Sequence, residues 1–141
     1  MLDTVHQFKW AGDANTPSRA YAGDAGFDLV CAESATVEAS TTANIPVNLS
    51  VELPEGVWAA ITGRSSTFRR GLLTPFSVID QGYRGPLFVC VYNFTPRPVE
   101  VEAGERLAQM IPLPIIHGES VKVERLADSE RGERGFGSSG R

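Results

Sequence analysis

Apolar residues in this chain recur at short intervals with a period near two, and no window of helical length carries an apolar period of 3.6. Strand-like runs stand at 28–31, 35–38, 43–51, 57–61, 72–78, 87–94, 99–101, 107–113 and 121–125, after an opening strand expected near 6–10. Turn chemistry separates them: Leu53-Pro54-Glu55-Gly56, Thr95-Pro96-Arg97-Pro98, Ala103-Gly104-Glu105 and His117-Gly118. A single short helix is predicted over 65–70, with Ser65 or Ser66 as its N-cap. Many short strands at regular spacing predict an all-β protein, a sandwich or a barrel such as a jelly roll. The last stretch, 129–141, is rich in Gly and Ser around a lone Phe136, and such material cannot pack a core. The pattern therefore predicts a β domain over 1–128 and a flexible arm over 129–141.

Size and composition narrow the picture. With 141 residues, 42% hydrophobic and 21% charged, the chain suits one globular core. No apolar run reaches the length of a membrane span, and the opening MLDTVHQFKW lacks the pattern of a signal peptide, so a cytoplasmic protein without membrane contact is expected. Cys31 and Cys90 lie in strand-like runs and read as buried thiols rather than a disulfide framework. A net charge of -4 argues against general nucleic-acid binding. The cations are nevertheless unusual in kind: eleven of the thirteen are Arg, the better bidentate partner for phosphate. Codon bias would give the same excess, so position must decide.

Position points to a few clusters. From Val78 to Asn93 the chain reads VIDQGYRGPLFVCVYN, where Asp80 stands on the shoulder of a Gly-containing turn and Tyr83 follows. A turn that frees the backbone between two strands suits a small-molecule pocket, although it is also how an ordinary hairpin is made. Gly63-Arg64-Ser65-Ser66 enters the short helix with hydroxyls and a guanidinium beside free N–H groups, either an anion site or a capped helix with a surface Arg. Gly135-Phe136-Gly137-Ser138-Ser139-Gly140, with Arg131 and Arg134 before it, could cradle phosphates and stack an aromatic on a flat base, or be only a solvated terminus. Asp28 opens a strand, where it could attend a divalent cation or cap a turn. No CxxC or HExxH occurs, so a protein-ligated zinc site is not expected.

Read together and in order, these pieces resemble the five motifs of the trimeric dUTPases (dUTP diphosphatases). Ala-Gly-Phe-Asp-Leu at 25–29 is similar to the first, Gly-Arg-Ser-Ser at 63–66 to the second, and Val-Ile-Asp-Gln-Gly-Tyr-Arg-Gly at 78–85 to the third. Gly-Glu-Arg-Leu-Ala-Gln-Met-Ile at 104–111 resembles the fourth, and Arg-Gly-Glu-Arg-Gly-Phe-Gly-Ser-Ser-Gly at 131–140 the fifth. The resemblance implies a jelly-roll-like fold and a homotrimer with active sites at subunit interfaces, each closed by a C-terminal arm. It implies hydrolysis of dUTP to dUMP and pyrophosphate with Mg²⁺, which keeps uracil out of DNA and supplies dUMP for thymidylate synthesis. Asp80 would be the general base, Tyr83 would sit under the deoxyribose, and Val78 and Ile79 would read the uracil edge. Arg64, Ser65, Ser66, Gln109 and Arg131 would hold phosphates. Phe136 would cover the base, with Gly137, Ser138 and Ser139 completing the phosphate shell, and Asp28 would meet Mg²⁺ through water.

The chain departs from the family pattern in two places. The second motif usually reads Pro-Arg-Ser-Gly, and the spelling here is nearer the dCTP deaminases of the same fold, whose pattern Arg69 also fits. That reaction needs a glutamate where this chain has Cys90, which disfavours it. The segment from Arg64 to Asp80 is also short, which bears on the pyrimidine contacts. A non-catalytic nucleotide-binding regulator is the remaining alternative, and the presence of Asp80 and Phe136 argues against it.

Overall fold

The computed structural model describes residues 5–135, and the predicted contacts of Phe136, Gly137, Ser138 and Ser139 lie outside them. Among the described residues, eleven strands and one five-residue helix form a jelly-roll-like barrel. They are β1 (Lys9–Gly12), β2 (Phe27–Val30), β3 (Ala35–Val37), β4 (Thr42–Pro46), β5 (Leu49–Glu52), β6 (Val57–Gly63), α1 (Ser65–Arg69), β7 (Leu72–Leu73), β8 (Ser77–Ile79), β9 (Phe88–Asn93), β10 (Val99–Val101) and β11 (Arg106–Pro114). All pairings are antiparallel, in a four-stranded sheet β2-β11-β6-β8, a three-stranded sheet β4-β9-β7, and the pairs β1-β5 and β10-β3. Alternation turns Leu29, Ile45, Ile61, Val89, Val91 and Met110 inward to one fully buried cluster.

Two of the long predicted runs are each broken in two. Residues 43–51 divide at Val47–Asn48, where Asn48 takes a left-handed φ of 59°, a conformation Asn tolerates better than most residues. The halves then join different sheets, β4 to β9 and β5 to β1. Residues 72–78 break around Pro75, which has no N–H to give a ladder, so that β7 pairs with β9 and β8 with β6. The strand predicted at 121–125 does not form: Val121 and Val123 alternate as a strand would, but both are exposed and the segment pairs with no strand among the described residues. The last strand ends at Pro114, and residues 116–134 are exposed throughout.

Among the described residues the two buried polar ones, Thr67 and Asn93, have partners for their side chains, whereas Arg19 Nε and Thr74 Oγ1 are buried without one. The side chain of Asn93, 0% exposed, donates Nδ2–H to the carbonyls of Val37 (2.9 Å) and Arg97 (2.7 Å), and its Oδ1 accepts from the N–H and hydroxyl of Thr95. One side chain thereby holds the turn after β9 to β3. Cys31 is buried as expected; burial pushes its thiol up, and Sγ donates to the Glu33 carbonyl. Cys90 is not buried. It takes the outward phase of β9, half-exposed, and donates to Asn44 Oδ1. Among the described residues no helix is long and apolar enough to cross a membrane.

Candidate functional site

Two groups of candidate residues stand at opposite ends of β6. The first is the turn leaving β8. Asp80 C=O accepts from Tyr83 N–H (3.0 Å), closing a four-residue turn, and Arg84 Nη1 donates to the Gln81 carbonyl (3.0 Å). The Tyr83 hydroxyl donates to the Pro86 carbonyl at 2.8 Å, which fixes the ring. Gln81 Oε1 accepts from Gly56 N–H at 2.8 Å and ties the turn to the loop before β6. Asp80 and Tyr83 are exposed, Ile79 points into the core, and Val78 is 57% exposed. A cleft of about 260 Å³ opens here among Ile79, Asp80, Tyr83, Pro86 and Phe88. Ligand pockets usually hold about 300–1,000 Å³, so this cleft suits a flat base and sugar better than a whole nucleotide. Because β8 is an edge strand, the backbone N–H and C=O groups on its free side have no strand to pair with and can meet a heterocycle's edge.

The second group sits where β2, β11 and β6 run side by side. Gln109 lies opposite Asp28 on one flank and Thr62 on the other. Its side chain passes over Gly26, where an added Cβ would stand 2.8 Å from Gln109 Oε1. Asp28 Oδ2 is 3.5 Å from Arg106 Nη1, and the Arg106 carbonyl accepts from Arg64 Nη1 at 2.9 Å. Arg106 thus touches two of the candidate residues at once. Its place inside the fourth motif was the one signal for it. Arg64, not Ser65 or Ser66, is the N-cap of α1, with extended backbone and no side-chain cap, so both serine hydroxyls stand exposed and free of a capping role. Seating the helix falls to Thr67, whose buried hydroxyl donates to the Leu107 carbonyl at 2.8 Å; a Thr in a polar run gave no hint of it. A cleft of about 440 Å³ lies beside Asp28 and Arg106, walled by Thr16, Ser18, Cys31 and Leu49. Among the described residues no three His, Cys, Asp or Glu side chains gather as a metal cage. The lone carboxylate of Asp28, held by Arg106, fits a cation that keeps its water shell.

One chain does not bring the two groups together. Ile79 pairs with Ala59 and Ala108 with Gly63, so four residues of β6, roughly 13 Å at strand rise, separate the levels of the two groups. Asp80 and Arg64 each lie one residue beyond those levels. Neither cleft contains a residue of the other group. Arg131 joins neither: its guanidinium donates to the Arg134 carbonyl within an exposed local turn.

Comparison with known proteins identifies the family. A protein of Leifsonia xyli named deoxyuridine 5'-triphosphate nucleotidohydrolase is 41% identical over 88% of this chain and 84% of its own length. A Pol polyprotein of an ovine maedi visna related virus is 36% identical over 92% of this chain, which spans only 12% of that polyprotein. Among solved structures, a Staphylococcus bacteriophage 80alpha dUTPase with dUPNHPP superposes with a TM-score of 0.89 at 30% identity, covering 99% of this chain and all of the other (100%). The family model described as dUTPase matches residues 12–140, which takes in both ends of β6 and every segment that resembled a motif, and the chain belongs to the dUTPase family.

Proposed function

We propose that this chain hydrolyses dUTP to dUMP and pyrophosphate, with each active site assembled from neighbouring copies of a homotrimer. The observation that carries the reading is the split just described: the acid and the phosphate-binding residues occupy opposite ends of one sheet, so a second copy must supply what each end lacks. The outer face of β9 supports the assembly. Phe88 and Tyr92 line it, Leu73 lies beside it, and Phe94, just past its end, packs at 5.3 Å on Phe68 of α1, all of them exposed in the single chain. The inner face of the same sheet is the core, and an antiparallel sheet apolar on both faces is one that is covered on both. That face runs from Phe88, in the cleft at Asp80, to Phe68, on the helix that begins with Ser65. A neighbour packed along it would lie near both half-sites.

In the assembled site the Asp80 carboxylate accepts a hydrogen bond from a water, aims it at phosphorus and takes its proton as the new O–P bond forms. The bond between the α- and β-phosphates breaks, and pyrophosphate leaves. Arg64, Ser65, Ser66 and Gln109 position the triphosphate and offset its charge, most of what phosphoryl transfer asks of a protein. When bound, Mg²⁺ supplies further charge neutralisation on the phosphate oxygens, and Asp28 holds its water shell. The unpaired edge of β8 at Val78 and Ile79 reads uracil, and the Tyr83 ring underlies the sugar. The short segment between Arg64 and Asp80 is mostly taken up by α1, β7 and β8, which leaves base recognition to this edge. The arm from 129 onward, with Arg131 and Phe136, closes the site. Cys90, an outward thiol bonded to Asn44, offers no carboxylate for a deaminase.

Mixed oligomers test the shared site. Asp80→Asn and Arg64→Ala subunits should each be inactive alone. Unfolded together in equal amounts and refolded, they should regain about a quarter of wild-type dUTP turnover, the share of interfaces in a cyclic trimer that pair two intact halves. No recovery would place both halves in one subunit.

A further inference from the structure

The turn that carries Tyr83 returns past it at Gly85, and a side chain there would occupy the ring's position. A Cβ built on Gly85 meets the Tyr83 hydroxyl, stands 2.6 Å from ring Cζ and lies 2.9 Å from Cε1. The phenol end of the ring therefore rests directly on the Gly85 backbone, with its hydroxyl anchored to the carbonyl of the next residue, Pro86. Gly85 is not among the glycines with a left-handed φ, which are Gly12, Gly56, Gly71, Gly104 and Gly132 among the described residues. Its backbone would accept alanine, so the turn does not require glycine. The ring does. Carbon atoms pack at about 3.5–4.0 Å, so a methyl group at this position must drive the ring roughly 1 Å away from the backbone and toward the cleft.

We propose that Gly85 is a positioning residue for substrate specificity: a floor without a side chain that sets the height of the Tyr83 ring under the sugar of a 2′-deoxynucleotide. The inference rests on the proposed role of Tyr83 and extends it. The ring alone does not define the space beneath the sugar; its seat does. The cleft is also lined by Ile79, 9% exposed, and Leu87, 1% exposed, both part of the packed core. A ring displaced into the cleft takes its 1 Å from the ligand. Binding suffers, while Asp80, held by the Tyr83 N–H to Asp80 carbonyl bond of the same turn, keeps its place for the chemical step.

The test is a double-mutant cycle on steady-state dUTP hydrolysis with wild type, Gly85→Ala, Tyr83→Ala and the double variant. Wild type is assayed first; a wild type that leaves dUTP intact overturns the hydrolase reading and not this one. With an active wild type, Gly85→Ala should raise KM for dUTP at least tenfold, change kcat less than threefold, and leave the melting temperature close to that of wild type. Once the ring is removed the alanine has nothing to displace, so the double variant should match Tyr83→Ala within twofold. A KM for Gly85→Ala within twofold of wild type overturns the proposal. So does a double variant in which the two losses multiply, which would mean that Gly85 acts on the fold or the backbone rather than through the ring.

Discussion

The two ends of β6 are held by different means. At the Asp80 end the bonds are local: Asp80 to Tyr83, Tyr83 to Pro86, Arg84 to Gln81, each spanning three residues, with Gln81 to Gly56 as the one long tie. At the Asp28 end they are long-range: Arg64 to Arg106, Thr67 to Leu107, Asp28 to Arg106. A turn whose geometry is closed by its neighbours in sequence can hold a catalytic group in place wherever the fold puts it. A corner made where three strands meet exists only if the sheet registers are right. In the proposed reaction the chemistry that tolerates least misplacement, alignment of a water on phosphorus, would fall to the locally rigid end. Charge neutralisation, which tolerates more, would fall to the corner.

If that division holds, the deepest cut comes at the turn. Asp80→Asn should lower kcat for dUTP on the order of a thousandfold or more while binding of the nucleotide, measured by calorimetry, stays within a few fold. Turnover near wild type would remove Asp80 from its role. Removing residues 131–141 should cost on the order of a hundredfold in kcat/KM, because in the proposed site it takes Arg131 from the phosphates and Phe136 from the base. Its melting temperature should not move, since residues 116–134 are exposed and outside the core; a large drop would make the arm structural. At the corner, Arg106→Gln should raise KM about two- to fivefold, the worth of a half-exposed ion pair, with kcat little changed. A kcat effect as large as that of Asp80→Asn would erase the distinction between the two ends. The smallest effect on turnover is expected from Thr67→Val. It leaves the Leu107 carbonyl without its partner at a cost of about 1–3 kcal/mol, read as a melting temperature lower by about 3–10 °C with turnover at low temperature retained.

The local bonds explain why the turn could be read from sequence and the corner only in pieces. Asp80, Gly82 and Tyr83 announce a turn through residue types at fixed offsets. Arg64, Asp28 and Gln109 each had a credible role as a cap or surface group until the pairing of β2, β11 and β6 set them side by side. The same limit explains the strand expected at 121–125. Alternation states that a segment can be a strand, but a strand needs an edge, and the described residues offer that segment none. Hydroxyls favour the N-cap, which is why Ser65 or Ser66 is expected there; the cap is Arg64 instead, whose side chain is drawn to the Arg106 carbonyl.

By itself the sequence determined an all-β chain of short strands, the positions of its main turns and the residues able to do phosphate chemistry, because side-chain alternation, turn residues and motif spacing are properties of neighbours along the chain. Tertiary structure alone decided that Asn48 and Pro75 send halves of apparent strands to different sheets, that Cys90 faces outward, and that Arg106 links Asp28 to Arg64. These depend on register and on close approach between segments, and no run of adjacent residues encodes either.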